Sequence, residues 1–370
     1  MDMPTVGVEE EFLLVDPGTG APTARNEAVA RTMREQGVDL QLELTRCQVE
    51  TSTDVHSSIT DLLGQLREQR WLVARCAQVN DARLLAVAIP PTVPEDFPVT
   101  DTPRYRAIAE NFGMLAHEQG LCGCHVHVSV PDRETAVRVS DHLRPWLPTF
   151  LALTANSAIY READTGYSSW RSILWRRWPS AGPPPYFGSA QAYDAMVRMM
   201  LTSGIILDEK MVYWDVRPSV AFPTVEVRVS DVPATADETA LLAALVRATV
   251  HTARHAIAEG RAAPNVPAEL LRAAYWKAAY SGMDGDALAP ADGRVLPARE
   301  LFGELLDLIG PALCEFGDRE FVAEAADALA ARGNGATRQR RAFGPEHDVA
   351  AVLAELAEAT THDCAPPRSP

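Results

Sequence analysis

Residues 5–15 read TVGVEEEFLLV, residues 121–130 read LCGCHVHVSV, and residues 223–231 read PTVEVRVSD. Each is short, rich in β-branched or apolar residues and bounded by turn formers, so each predicts a strand. Successive side chains on a strand point to opposite faces. Glu9 and Glu11 therefore share one face of the first strand, with Val8, Glu10 and Phe12 on the other. By the same rule His125, His127 and Ser129 stand opposite Val126, Val128 and Val130. Glu226, Arg228 and Ser230 likewise stand opposite Val225, Val227 and Val229. A solvated sheet face would mix Lys, Thr, Ser and Gln. Glu-x-Glu, His-x-His and Glu-x-Arg, each backed by valine, predict instead a sheet with one face on helices and the other lining an acidic cavity.

Clustered carboxylates repel one another and are tolerated where cations neutralise them. Oxygen-rich sites with an occasional imidazole suit Mg²⁺ or Mn²⁺, whose other positions go to water and substrate phosphate. Alone, Glu-x-Glu reads as a solvated face and His-x-His as a structural pair; the joint pattern points to metal. Glu43 and Glu50 lie in an extended stretch, 38–52, at a spacing that puts them on opposite faces of a straight strand. Sharing a site requires a bulge or break between them. Cys122, Cys124, His125 and His127 resemble a zinc set, but on a strand both cysteines face away from both histidines, and we reject it.

Further strands are expected at 83–89 and 211–217. Hydrophobic spacing predicts helices from Asp54, at 104–119, 133–162, 190–203 and 237–259, then at 267–280, 298–309, 319–332 and 346–359. The segment 168–189, SSWRSILWRRWPSAGPPPYFGS, reads as irregular, and a proline-rich loop is expected up to Pro103. No repeat and no linker is visible, so a single α+β domain over 1–362 is expected, with a disordered tail at 363–370.

The chain has 370 residues, with 34 Lys+Arg against 50 Asp+Glu and a net charge of -16. That balance opposes a broad nucleic-acid surface or an anionic-membrane surface. Only Lys210 and Lys277 are lysines, and neither follows the glycine loop of a P-loop. Arginine and metal ions would have to neutralise any phosphate. The N-terminus shows no signal-peptide pattern, the longest apolar run is too short for a bilayer, and the six cysteines are irregularly spaced. A cytoplasmic location is the expectation.

The segments VGVEEEFLLVD, ELTRCQVE, LCGCHVHVSVP, WRSILWRRWPSAGPPP and WDVRPSVAFPTVEVRVSD, in that order within residues 5–345, resemble the carboxylate–amine ligases of the type 2 glutamate–cysteine ligase family. That family lies in the glutamine synthetase-like superfamily. The resemblance implies an α+β fold in which a curved, mainly antiparallel sheet forms an active-site funnel, with helices on its outer face. It implies ATP and two or three Mg²⁺ (or Mn²⁺) ions as cofactors. His125 and Glu226 would share a metal with Glu9, while Glu50 and Glu43 would share one with Glu11. Arg228 matches an arginine at the transferring phosphoryl group, and Arg217 is a second candidate for phosphate contact. His127 would lie near the nucleotide phosphates, with Arg338 and Arg340 of the 335–343 stretch near the nucleotide; composition alone reads that stretch as a solvated turn.

Arg171 and Arg177, with Trp170, are candidates for clamping a substrate carboxylate. The competing reading is an arginine-laced surface loop with its tryptophans in the core. The implied reaction is ATP-dependent amide formation, γ-glutamyl in the leading reading, between an amino-acid carboxylate and an amine such as cysteine's, via an acyl phosphate. The implied partners are small-molecule amino acids and ATP, with no nucleic acid or membrane, and a homodimer is expected. The alternative is a zinc-dependent metallohydrolase using His125 and His127, disfavoured by the pair's position a third of the way along the chain and by the scarcity of lysine. A non-catalytic nucleotide-binding relative is disfavoured by the intact carboxylates.

Overall fold

The computed structural model describes residues 2–93, 97–118 and 120–366. Parts of three expectations lie outside these residues: 94–96 of the proline-rich loop, 119 of a helix, and 367–370 of the tail. The strands, in chain order, are β1 (Val6–Val15), β2 (Gln41–Leu42), β3 (Gln48–Ser52), β4 (Arg83–Leu85), β5 (Gly123–Ser129), β6 (Ile159–Tyr160), β7 (Ala163–Asp164), β8 (Val216–Pro218), β9 (Thr224–Asp231), β10 (Asp286–Leu288) and β11 (Val295–Pro297). Seven of them form one open sheet in the order β2-β3-β1-β5-β9-β8, with β4 beside β1. Every pairing in it is antiparallel. The remaining four strands make two separate hairpins.

Register carries the alternation from strand to strand. Glu9 lies opposite His125, and His127 opposite Glu226, while Val8 faces Val126 and Val126 faces Val227. The valine side enters one core with Leu241, Leu245 and other residues of the helix Ala236–Ala258. That helix starts where the Thr235 hydroxyl accepts the Glu238 N–H. It is buried on almost every face because it packs on the sheet and also on helices Ile59–Val79, Arg133–Leu143, Ala298–Phe316 and Arg319–Arg332.

Glu10 sits on the valine side and is fully buried, which isolated carboxylates do not tolerate. Arg70 from the helix Ile59–Val79 meets it with two parallel bonds of 2.6 and 3.1 Å. Thr239 donates to Glu10 at 2.6 Å, and the carbonyls of Pro233 and Ala234 each take an Arg70 N–H at 2.9 Å. The pair thus ties β1 to two helices and to the chain leaving β9.

Several expected elements are cut short by identifiable chemistry. The 133–162 helix becomes Arg133–Leu143 and Leu147–Thr154, separated at Pro145 and Pro148, and gives way to the β6–β7 hairpin. The 104–119 helix breaks at Gly113, whose φ is 53°. The helix expected from Asp54 starts at Ile59 because Ser58 caps it and residue 56 is still paired with Val6. The helix expected to stop at 309 runs on to Phe316 through Pro311, held by the buried Ile309, Ala312 and Leu313. Residues 335–343 form a helix capped by Asn334 rather than a turn. A bulge between Cys124 and Val126 shifts the β5–β9 register, so Ser230 pairs with Cys124 on the valine side instead of joining Glu226 and Arg228.

Removing one partner of a buried, hydrogen-bonded ion pair costs about 3–5 kcal/mol, whereas replacing both with apolar groups is often neutral. Arg70→Met is therefore expected to lower the urea midpoint sharply. The double variant Glu10→Leu/Arg70→Met should recover much of the loss, and equal midpoints for the wild type and the single variant would contradict the assignment.

Candidate active site

The face opposite the valines lines a cavity of about 330 Å³. β1 supplies Glu9 and Glu11, β5 supplies His125 and His127, β9 supplies Glu226 and Arg228, and β8 supplies Arg217. Glu43 and Glu50 also line it, because the chain breaks at 43–47 and returns as an antiparallel hairpin with Gln41 opposite Glu50. The break that their spacing required is present.

Two overlapping sets could each hold a cation. In Glu9, His125 and Glu226, and in Glu11, Glu50 and His125, one ligand atom per residue lies within 4.8 Å of the others. His125 stands between them, with Nδ1 3.1 Å from Glu9 and Nε2 3.7 Å from Glu11. The Nε2 atoms of His125 and His127 are buried without a hydrogen-bond partner. His127 Nε2 lies 3.5 Å from Glu9, and its Nδ1 is 2.9 Å from the Thr224 hydroxyl. Buried, unpartnered imidazole nitrogens among carboxylate oxygens are a donor set that fits divalent cations.

The charges are balanced in two different ways. Burial, and then the charge of Glu11, pushes Glu43 up to about 8. Burial, followed by Glu43, raises Glu50 well above the carboxylate range. Here protons substitute for cations. Burial also works against ionisation of Glu226, but Arg217 and then Arg228 outweigh it and hold Glu226 well below its ordinary value. Arg217 Nε reaches Glu226 Oε2 at 2.9 Å, and Arg228 Nη1 binds Oε1. Glu9 is likewise held low, its burial outweighed by the hydrogen bond to His125 and by the nearby His127 ring. Burial, then Arg228, lowers His125 and favours the neutral ring that a metal requires.

Arg171 is buried in the cavity wall with its Nε unpartnered, 3.8 Å from Asp231 and over the Trp175 ring. Asp231 accepts from the hydroxyls of Ser157 and Ser169 and from the Asn156 N–H, which anchors the start of the helix Trp170–Trp175. A Cβ at Gly123 would lie 2.3 Å from the Arg171 guanidinium, so the bare glycine makes room for it.

Four sequence candidates stand elsewhere. Arg177 is half-exposed and paired with Glu118 at 2.5 Å, and Trp170 packs on Tyr167, so neither lines the cavity. Arg338 pairs with Glu238, and Arg340 with Asp164; nearby acids claim both guanidiniums outside the cavity. The segment 168–189, expected to be irregular, contains the helix Trp170–Trp175 and is largely a packed wall, with Trp178 buried against Phe112 and Tyr213. The sequence reading missed Arg104, Tyr105, Lys210 and Tyr213, all of which line the cavity. Lys210 carried a signal: it is one of two lysines and directly precedes the MVYWDVR segment.

Among known proteins, the model of glutamate-cysteine ligase family 2 matches residues 5–357. A Nocardia farcinica protein provisionally named glutamate–cysteine ligase 2-1 is 77% identical over 366 residues, 99% of this chain and 96% of that protein. A protein of Mycobacterium sp. (strain KMS), provisionally named glutamate–cysteine ligase 2-2, is 61% identical over 358 residues, 96% of this chain and 98% of that one. The crystal structure of glutamate–cysteine ligase from Francisella tularensis in complex with AMP matches with a TM-score of 0.65 at 14% identity, covering 97% of this chain and 93% of that one. A bifunctional glutathione synthetase from Pasteurella multocida matches with a TM-score of 0.65 at 15% identity, covering 97% of this chain and 52% of that one. At such identities the structural likeness speaks to fold alone.

A cation held by Glu11 and Glu50, with Glu43 beside them, would have to displace protons. Glu43 binds a proton below about pH 8 in the cation-free protein, so Mg²⁺ affinity should rise as pH increases from 6 towards 8. The rise should be about tenfold per pH unit for each proton displaced. Calorimetry at pH 7 in two buffers of different ionisation enthalpy should show net proton release, and identical enthalpies would contradict the pairing.

Proposed function

The chain belongs to glutamate–cysteine ligase family 2, and from that premise we propose that it joins the γ-carboxylate of glutamate to an amine such as cysteine's through an acyl phosphate. The broader activity is that of an ATP-dependent carboxylate–amine ligase, with ATP and a divalent metal as cofactors. One observation supports the finer reading most strongly. Buried arginines, Arg217 and Arg228, abut the carboxylate–imidazole sets on a single sheet face.

A carboxylate is a poor acyl donor because its leaving group would be oxide; phosphorylation supplies phosphate as the leaving group. Mg²⁺ ions held by Glu9, His125 and Glu226, and by Glu11, Glu43 and Glu50, would neutralise the nucleotide's β- and γ-phosphates. Arg228 retains a buried Nε–H without a partner and can direct it at a transferring phosphoryl group. Arg217 is anchored by the carbonyls of Lys210 and Val212, and holds its charge beside Arg228. His127 offers its free Nε2 towards nucleotide phosphates. Arg171, pinned by the Asp231 network, would bind the α-carboxylate of an amino acid, and the walls formed by Trp175 and Trp178 would keep water from the acyl phosphate. The hydrolase alternative gives way because the chain belongs to a ligase family and His125 lies among Glu9, Glu11, Glu50 and Glu226.

The test is ADP release across paired carboxylic and amino substrates, with the amide product identified by mass. Turnover should require Mg²⁺ and both substrates, and Glu226→Gln should lower kcat by about 10²–10³-fold. Arg171→Lys should raise KM for the amino acid more than it lowers kcat. Absence of ADP formation across the whole panel, or ADP release without an amide, would overturn the reading.

A further inference from the structure

Behind the sheet, the helices Ala236–Ala258 and Ala298–Phe316 bring His251, His255 and Glu315 together. The two histidines are four residues apart on one helix and so share a face. His251 Nε2 lies 3.2 Å from Glu315 Oε2 and 3.1 Å from His255 Nε2. The His251 ring is buried against Phe316 at 4.9 Å, while His255 and Glu315 are exposed and leave the cluster open to solvent.

Proton counting makes this arrangement unusual. A carboxylate only accepts, and an imidazole nitrogen that carries a proton has no lone pair left in the ring plane. If His251 Nε2–H donates to Glu315, it cannot also accept from His255, so one proton must serve two acceptors. Three lone-pair atoms therefore converge on a point that one proton fills poorly. A metal with bonds of about 2.0–2.1 Å in tetrahedral geometry separates its ligand atoms by roughly 3.3 Å, which is close to the two distances observed.

We propose that His251, His255 and Glu315 form a second metal site, distinct from the sheet-lined cavity and selective for a transition ion such as Zn²⁺. Two imidazoles and one carboxylate suit Zn²⁺, Co²⁺ or Ni²⁺ over Mg²⁺, which prefers oxygen. The open side leaves room for water as a further ligand. Because one ligand comes from the neighbouring helix, the ion would clamp Ala298–Phe316 to the helix that backs the catalytic sheet. The role is structural bracing.

The experiment uses the full chain in saturating Mg²⁺, as a competitor for the sheet-lined site, and titrates ZnCl₂. Protein-bound zinc after gel filtration and Tm are the readouts. About one equivalent of zinc is expected, with a Tm rise of about 3 °C at a hundredfold excess over Kd. His255→Gln and Glu315→Gln, both at exposed positions, should keep the zinc-free Tm and lose at least tenfold in zinc affinity. Glu226→Gln should still bind zinc, which separates this site from the proposed catalytic one. The absence of retained zinc in the wild type, equal retention by His255→Gln, or loss of zinc only in Glu226→Gln would each overturn the proposal. None of these readouts depends on ligase activity.

Discussion

Five carboxylates line one cavity, Glu9, Glu11, Glu50 and Glu226 from one face of an antiparallel sheet and Glu43 from the adjoining turn, and their mutual repulsion is the constraint around which the site is arranged. At about 4 Å and an effective dielectric near 20, each close pair costs roughly 4 kcal/mol if both groups are ionised. Two different remedies divide the site. Glu226 is matched by Arg217 and Arg228, whereas Glu43 and Glu50 retain protons. The strands cannot relax to relieve the strain, because their other face is locked into the helical layer by valines and by the Glu10–Arg70 pair. Rigidity behind the sheet is what keeps repulsion in front of it.

That arrangement would make cation binding an exchange rather than a simple addition. On the Glu43–Glu50 side a cation would replace protons. On the Glu226 side it would compete for oxygens now held by guanidinium groups, so binding there would free arginine donors to face the nucleotide. Glu11 differs from both, since it accepts the backbone N–H of Gly123 at 2.6 Å.

Much of this was legible because strand alternation is strict. Glu9, Glu11, His125, His127, Glu226 and Arg228 could be assigned to one face from spacing alone, and the register keeps them there. Ser230 failed because a single bulge inverts alternation, and nothing local marks it in the sequence. Glu43 and Glu50 were legible only as a conflict that a chain break had to resolve. Arg177, Arg338 and Arg340 were misplaced for another reason: a guanidinium's address depends on which distant acid reaches it, here Glu118, Glu238 and Asp164. Tyr105, Lys210 and Tyr213 come from outside the sheet strands, from the helix Pro103–Phe112 and the segment leading into β8, where no periodicity speaks of the cavity. The HTARH segment at 251–255 did carry a signal, the i, i+4 histidine pair, but Glu315 is supplied by tertiary packing alone.

The distribution of the basic residues follows from the same physics. Burial strips charge from an ammonium group, since desolvation lowers a lysine's pKa, whereas a guanidinium stays protonated in proteins. Arg228, Arg217 and Arg171 are all buried in the cavity, and Arg228 lies between Glu226 and His125. A lysine at position 228 would be a single-point donor whose charge depended on Glu226 remaining ionised and close. It would become least reliable when a ligand drew that carboxylate away. Lys210, the one lysine that does line the cavity, stands exposed at the rim rather than in the buried floor. A guanidinium stays protonated without solvent, so a buried floor that must stay positive while its carboxylate partners change is one that arginine supplies better than lysine.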